Sequence, residues 1–120
     1  MDRKFPKTER LHSRKLIKEL FDKSSSFFLF PFKVIFLPAQ SGETNQVLIS
    51  VSKKKLKRAV HRNLIKRRIR EAYRLNKHLL DSEELSTAKR IGLIYVSSDR
   101  MEFGDIQKKL IRILLKLKKL

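Results

Sequence analysis

One stretch constrains this chain more than any other. Residues 53–74 carry 11 Lys or Arg against a single Glu, with no Gly or Pro among them. Nothing in that run breaks a helix, and a helical reading sorts its side chains cleanly. Advancing by about 100° per residue places Ile65, Ile69, Ala72 and Tyr73 within a sector of roughly 100°, the width of a core-facing stripe. Arg62, Lys66 and Arg70 recur at i, i+4 and i+8 beside that stripe, and Asn63, Arg67 and Arg74 fill the same flank. Arg68 falls toward the opposite edge, near Leu64. Lys53-Lys54-Lys55 and Lys57-Arg58 carry the positive field into the preceding loop and first turn.

A solvated charged helix would usually mix signs at i,i+4, because each opposite pair contributes a few tenths of a kcal/mol (about 0.2–0.5). Here Arg62, Lys66 and Arg70 repel one another over successive turns, and Glu71 is the one acid nearby. A stripe that destabilises its own helix calls for a partner that compensates it. The alternatives are a merely solvated face and an anionic membrane surface; a nucleic acid fits best. RNA is favoured over DNA. No helix-turn-helix pair is visible, and the basic helix lies between two strands as a packed crossover rather than as a separate reading head. Cations along a loop and helix suit phosphate contacts that position a folded RNA.

The whole composition agrees. The 120 residues include 30 Lys or Arg and 12 Asp or Glu, a formal charge of +18 with a pI near 10.7, which implies a polyanionic partner. At 41% hydrophobic residues the chain can build a core and is no disordered tail. It contains no cysteine, which removes disulfides, thiolate metal sites and a Cys nucleophile. The longest apolar run, 27–38, contains two prolines and Lys33, and is far short of the roughly 20 residues needed to span a bilayer. The N-terminus lacks the apolar stretch of a signal peptide. The expectation is a cytoplasmic protein with no membrane partner.

Along the chain, residues 1–12 read as a loosely held basic arm within a single domain, 1–120. Ser13 is the expected N-cap of a short helix carrying Leu16, Ile17, Leu20 and Phe21, which should end at Ser24-Ser25-Ser26. A strand is expected over 32–37, with Phe32, Val34 and Phe36 on one face and Lys33, Ile35 and Leu37 on the other. The polar turn Ser41-Gly42-Glu43-Thr44-Asn45 then leads to a second strand around Val47, Ile49 and Val51, suggesting a hairpin. After the basic helix come a connection containing Asp81-Ser82-Glu83-Glu84 and a buried strand over 91–96. Asp99 and Glu102 suggest a capping box for a last helix, which carries Phe103, Ile106, Leu110, Ile113, Leu114 and Leu117. That order implies an α+β layer with helices packed on a small sheet.

Catalytic signals fail. His12, His61 and His78 share no metal-ligand spacing, the carboxylates are scattered, Ser50 and Ser52 have no evident base, and no Gly-rich loop exists.

The run Ile49-Ser50-Val51-Ser52-Lys53-Lys54, followed by 59–74 with His61-Arg62-Asn63-Leu64-Ile65-Lys66-Arg67, closely resembles the signature of the bacterial ribonuclease P protein component. That family ends a strand with Ser-Val-Ser-Lys-Lys and opens a helix with Arg-Asn-Arg-x-Lys-Arg. Its short first helix, Arg-Leu-x-x-x-x-x-Phe-x-x-x-Phe, is matched from Arg10-Leu11 through Phe21. Three departures stand out. Leu64 replaces the second signature Arg, with Arg68 one turn later as the candidate to compensate. The Gly common before the helix is replaced within Lys55-Leu56-Lys57. Ile17 takes the place of the first Phe.

The resemblance implies a small four-stranded sheet packed with helices, a two-layer sandwich with a left-handed βαβ crossover as in a ribosomal-protein domain. It implies the accessory subunit of a ribonucleoprotein endoribonuclease that removes the 5′ leader from precursor tRNA. The RNA subunit would perform the chemistry with Mg²⁺ held mainly by RNA, with no catalytic residue in the protein. The partners would be ribonuclease P RNA and precursor tRNA, without DNA. By matching positions, Arg62, Asn63, Lys66, Arg67 and Arg70, with Lys53 and Lys54 beside them, would face RNA; Arg58, Arg68 and Arg74 extend that surface. A leader groove between sheet and helices would use Ile17, Phe21, Lys33 and Ile35. For Phe21 the competing reading is ordinary core. The competing reading for the chain is a ribosomal or other structural RNA-binding protein.

Overall fold

The structure is a computed structural model that describes residues 4–39, 44–80 and 88–120. A four-stranded sheet separates two unequal helical layers. Ser13 caps the first helix, α1 (Arg14–Lys23), its hydroxyl accepting from the Leu16 N–H at 3.4 Å, and Ser24 then turns the chain extended. The strands are β1 (Ser25–Leu29), β2 (Phe32–Pro38), β3 (Gln46–Val51) and β4 (Lys89–Tyr95). The basic helix is α2 (Ala59–Asn76), and α3 (Phe103–Lys118) closes the chain.

Alternation along the strands sorts the core. Phe32, Val34, Ile91, Leu93 and Tyr95 point to the face covered by α2 and α3, where Ile65, Ile69, Ile106, Leu110 and Ile113 are fully buried. Ile35, Leu37, Leu48 and Ile94 point to the other face, where Leu20 of α1 is fully buried beside Leu16 and Ile17. The buried side of α2 is Ile65, Ile69, Ala72 and Tyr73, as the helical spacing requires. The buried side of α3 likewise follows Ile106, Leu110, Ile113, Leu114 and Leu117, with Phe103 partly covered.

Three expectations are corrected. The strand order is β1-β2-β4-β3, so β2 does not form a hairpin with β3. It pairs antiparallel with β1 and with β4, and β3 pairs parallel with β4 at the far edge. The reason is burial: β2 and β4 both carry apolar residues on both faces, which suits central positions and draws β4 between β2 and β3. The real hairpin joins β2 to β1, a strand hidden by the serines at its start; its turn contains a cis Phe30–Pro31 peptide.

The capping box is also absent. α3 begins at Phe103, and Glu102 makes no side-chain cap bond. Asp99 instead belongs to a tight link, its N–H donating to Ser97 Oγ at 3.0 Å and its carbonyl accepting from the buried Tyr95 hydroxyl.

The third correction concerns the N-terminal arm, which over residues 4–12 is packed rather than loose. Phe5 is buried in the α2–α3 core and meets Tyr73 edge-on, with centroids 5.3 Å apart. Arg10 donates to the Phe5 carbonyl at 3.0 and 3.2 Å, with its guanidinium 5.5 Å from the Phe5 ring centre. Glu9 pairs with Lys77 at 3.0 Å in a largely covered contact, and Lys77 also donates to the Lys4 carbonyl. The expected turn at 41–43 and the acidic connection at 81–84 lie outside the described residues.

Candidate nucleic-acid interface

Two surfaces gather the residues singled out in the sequence, one on each side of the sheet. On the α2 side, β3 ends at Val51 and the chain makes a short turn through Lys53, Lys54 and Lys55, all exposed. Leu56 then dives into the core and donates its N–H to the Ser52 carbonyl at 3.0 Å. Arg62, one turn into α2, donates to the carbonyls of Leu56 at 2.8 Å and Lys57 at 2.7 Å. These bonds pin the lysine turn against the helix, so the loop cations and the helix cations form one surface. Arg58, Asn63, Arg67 and Arg70 are exposed on it, and Lys66 is half-buried. Among the described residues no acid pairs with Arg58, Arg62, Lys66, Arg67 or Arg70.

Besides Arg62, two more arginines of the expected set are already engaged within the protein. Arg68 donates to the Met101 carbonyl at 2.6 Å and lies 3.9 Å from the Glu102 carboxylate, which fixes the link entering α3. It is turned toward the link entering α3 and does not line the depression beside Leu64. Arg74 is paired with Glu71 one turn earlier, Nε to Oε2 at 3.2 Å. The hydrogen bond from Arg74 holds the Glu71 carboxyl below its ordinary pKa, and the carboxylate in turn raises that of Arg74. The pair therefore persists at neutral pH and is lost only as pH falls through the depressed Glu71 value. Sequence reading missed Arg100. It joins Val60, His61, Asn63, Leu64 and Arg67 around an open depression, with its Nη1 3.4 Å from His61 Nε2.

On the other face, α1 crosses the sheet and leaves a partly open apolar shelf. Phe21 is 52% exposed and belongs to neither buried cluster, which removes the core reading. Ile17 is half-buried in the α1 cluster, and Lys33 is exposed. Ile35 is 4% exposed beneath α1, so it supports the floor and offers no contact surface itself. Phe28 was missed. It pairs with Lys33 across the β1–β2 ladder, so the two side chains share a face, and its ring is 62% exposed. Had β1 been recognised, the period of two in Ser26-Phe27-Phe28 would have found it. Among the described residues no three of His, Asp or Glu come together to hold a metal ion. Among them, too, no helix is long and apolar enough to cross a membrane.

The family model described as Ribonuclease P matches residues 5–118, nearly the whole chain and both surfaces. The chain belongs to the ribonuclease P protein family. A ribonuclease P protein component from Porphyromonas gingivalis is 38% identical over 115 residues, covering 89% of this chain and 84% of the relative. Another from Ectopseudomonas mendocina is 32% identical over 116 residues, covering 93% and 85%. Among solved structures, the Staphylococcus aureus RNase P protein superimposes with a TM-score of 0.72 at 30% identity, covering 92% of this chain and 95% of that one. The Thermotoga maritima RNase P protein gives 0.73 at 26% identity, covering 90% and 96%. The four-stranded mixed sheet with three helices is therefore an α+β ribonuclease P protein fold.

Proposed function

We propose that this protein is the accessory subunit of a ribonucleoprotein endoribonuclease that matures the 5′ end of tRNA. It binds ribonuclease P RNA through the lysine turn and the outer flank of α2, and it takes the 5′ leader of precursor tRNA along the α1 shelf. The observation that carries this reading is the pinned cation surface. Arg62 ties the Lys53–Lys55 turn to a helix whose Lys66, Arg67 and Arg70 have no acid partner among the described residues. Such a surface destabilises the free protein and is relieved when phosphates replace the missing acids. Asn63 adds a neutral donor and acceptor beside them.

The leader, a short single strand, suits exposed aromatic faces. Bases stack on such faces for about 1–3 kcal/mol each, largely independent of sequence. Phe21 and Phe28 supply the rings and Lys33 the charge, with Ile17 at the edge. Among the described residues no cluster of three or more His, Asp or Glu converges that could hold Mg²⁺. The ion's place is among RNA phosphates, and the protein's task is to position those phosphates from the cytoplasm's ordinary ionic conditions.

Single-turnover cleavage of precursor tRNA across a Mg²⁺ series tests the proposal. The protein alone should not cleave. Added to a bacterial ribonuclease P RNA, it should restore cleavage at low Mg²⁺, where two polyanions meet poorly. The benefit should shrink as Mg²⁺ or monovalent salt rises. It should be larger for substrates with a leader of several nucleotides. Tight RNA binding with unchanged cleavage at every Mg²⁺ concentration would favour a purely structural RNA-binding role, such as that of a ribosomal protein.

A further inference from the structure

The last helix carries a cation stripe of its own. Turning by about 100° per residue, Lys108, Arg112, Lys116 and Lys109 of α3, with Lys119 at its C-cap, occupy one sector of roughly 100°. Two contacts orient that sector. Gln107 Oε1 accepts from Asn76 of α2 at 3.0 Å and marks the side facing α2. Lys116, 4.5 Å from the Phe27 ring centre of β1, lies about 180° around the helix from Gln107 and marks the side facing away. On α2, Arg68 marks the side facing α3, and Lys66 and Arg70 stand about 160° from it. The two stripes therefore line opposite edges of one helical layer.

Lys116 and Lys119 have an ordinary explanation, since cations near a helix C-terminus are stabilised by the helix dipole. Lys108 and Arg112 sit mid-helix and do not. They repel each other at i,i+4, Asp105 is the sole acid within α3, and among the described residues none of these cations makes an ion pair.

We propose that the outer face of α3, built on Lys108, Arg112, Lys116 and Lys119, is a second RNA-docking surface. It takes the phosphate backbone of a segment of ribonuclease P RNA distinct from the segment met by α2. The proposal rests on the reading of α2 as an RNA face. It commits to ribonuclease P RNA because both stripes lie on the α2–α3 side of the sheet, whereas the leader shelf lies on the α1 side. The protein would then act as a clamp between two RNA segments.

The chain has no cysteine, so a single introduced one is a unique attachment point. A hydroxyl-radical probe is tethered to Arg112→Cys or to Arg70→Cys, and each protein is assembled with ribonuclease P RNA and precursor tRNA, labelled one at a time. Two separate sets of cuts in ribonuclease P RNA are expected. In parallel, the triple variant Lys108→Gln, Arg112→Gln, Lys119→Gln should lower the slope of log affinity against log salt by about 2, at roughly 0.7–0.9 per contact. Lys116 is kept because its contact with Phe27 bears on folding. Cuts from position 112 that are absent, overlap those from position 70 or fall only in tRNA overturn the proposal, as does an unchanged salt slope. If position 70 also cuts nothing, the functional reading of α2 fails as well; cuts from position 70 alone leave that reading standing.

Discussion

Gly92 sits where the α1 shelf meets the sheet, and adding one methyl there tests how closely α1 is held. It lies in β4 directly opposite Ile35 of β2 and Leu48 of β3. A Cβ at this position would stand 2.6 Å from Ile35 Cγ1, 3.0 Å from Ile35 Cδ1 and 3.4 Å from Leu20 Cδ2. Neither neighbour can swing into solvent, because Ile35 is 4% exposed and Leu20 is fully buried. Overpacking of this kind costs about 1–3 kcal/mol, and relief of the strand glycine returns about 0.5–1 kcal/mol. Gly92→Ala should therefore destabilise by up to about 2.5 kcal/mol, a fall in Tm of up to about 10 °C for a domain of this size. The route to relief is lifting α1, which would move Phe21 relative to Lys33 and Phe28 and weaken leader binding.

Ile35→Ala removes both atoms in closest contact and should cost about 2–5 kcal/mol alone. In that background the added methyl fills vacated space, so Gly92→Ala should become neutral or stabilising, a coupling of about 1–3 kcal/mol. Thermal denaturation of the four proteins measures the cycle. The same cost for Gly92→Ala in both backgrounds would refute the reasoning.

The other predictions need less apparatus. Lys66→Ala and Arg70→Ala should each lower the salt slope of RNA binding by about 0.7 while leaving Tm unchanged or slightly raised, and Lys118→Ala should do neither. Equal effects from Lys118 would sink the stripe. Phe21→Leu should change stability by no more than about 1 kcal/mol, because the residue is half-exposed, yet weaken binding of leader-bearing precursor tRNA and spare mature tRNA. A large stability loss without a leader defect would contradict this. Lys77→Met leaves Glu9 and the Lys4 carbonyl without their donor, and should cost about 1–3 kcal/mol, between the exposed and buried limits for an ion pair. Limited proteolysis should then cut faster at Lys7 and Arg10; unchanged cleavage would show that Phe5, Leu11 and the backbone bond from Leu11 to Val47 hold the segment without the ion pair.

Where one pattern dominated, the sequence was enough. The buried side of α2, the face division of β2 and the apolar side of α3 follow from periodicity, because a single packed side leaves no ambiguity of period. Pairing was not legible. Local order favours β2 with β3, but what places β4 between them is burial on both of its faces, a property of the assembled sheet. β1 was lost because three consecutive serines look like a helix stop: Ser24 does end α1, but Ser25 and Ser26 already begin an edge strand. The N-terminal segment looked like an arm because its charges hid the use of Phe5, Glu9 and Arg10. At the candidate site, periodicity placed the cations on a common flank but could not say which of them already had partners inside the protein.

That distinction changes how Leu64 is read. An arginine at this position would stand over the depression beside Val60, His61 and Arg67. Arg68 is one turn further along α2, but its guanidinium is bonded to Met101 and turned toward α3, and pulling it out to reach a phosphate would break the link that starts that helix. Arg74 is further along still and shares its charge with Glu71. Neither arginine lines that depression. Arg100, carried by the link between β4 and α3, does reach the depression, and Arg68 is one of the residues fixing that link. Arg100 thus adds positive charge at this end of α2 from a second segment, and Arg68 holds that segment through the Met101 carbonyl.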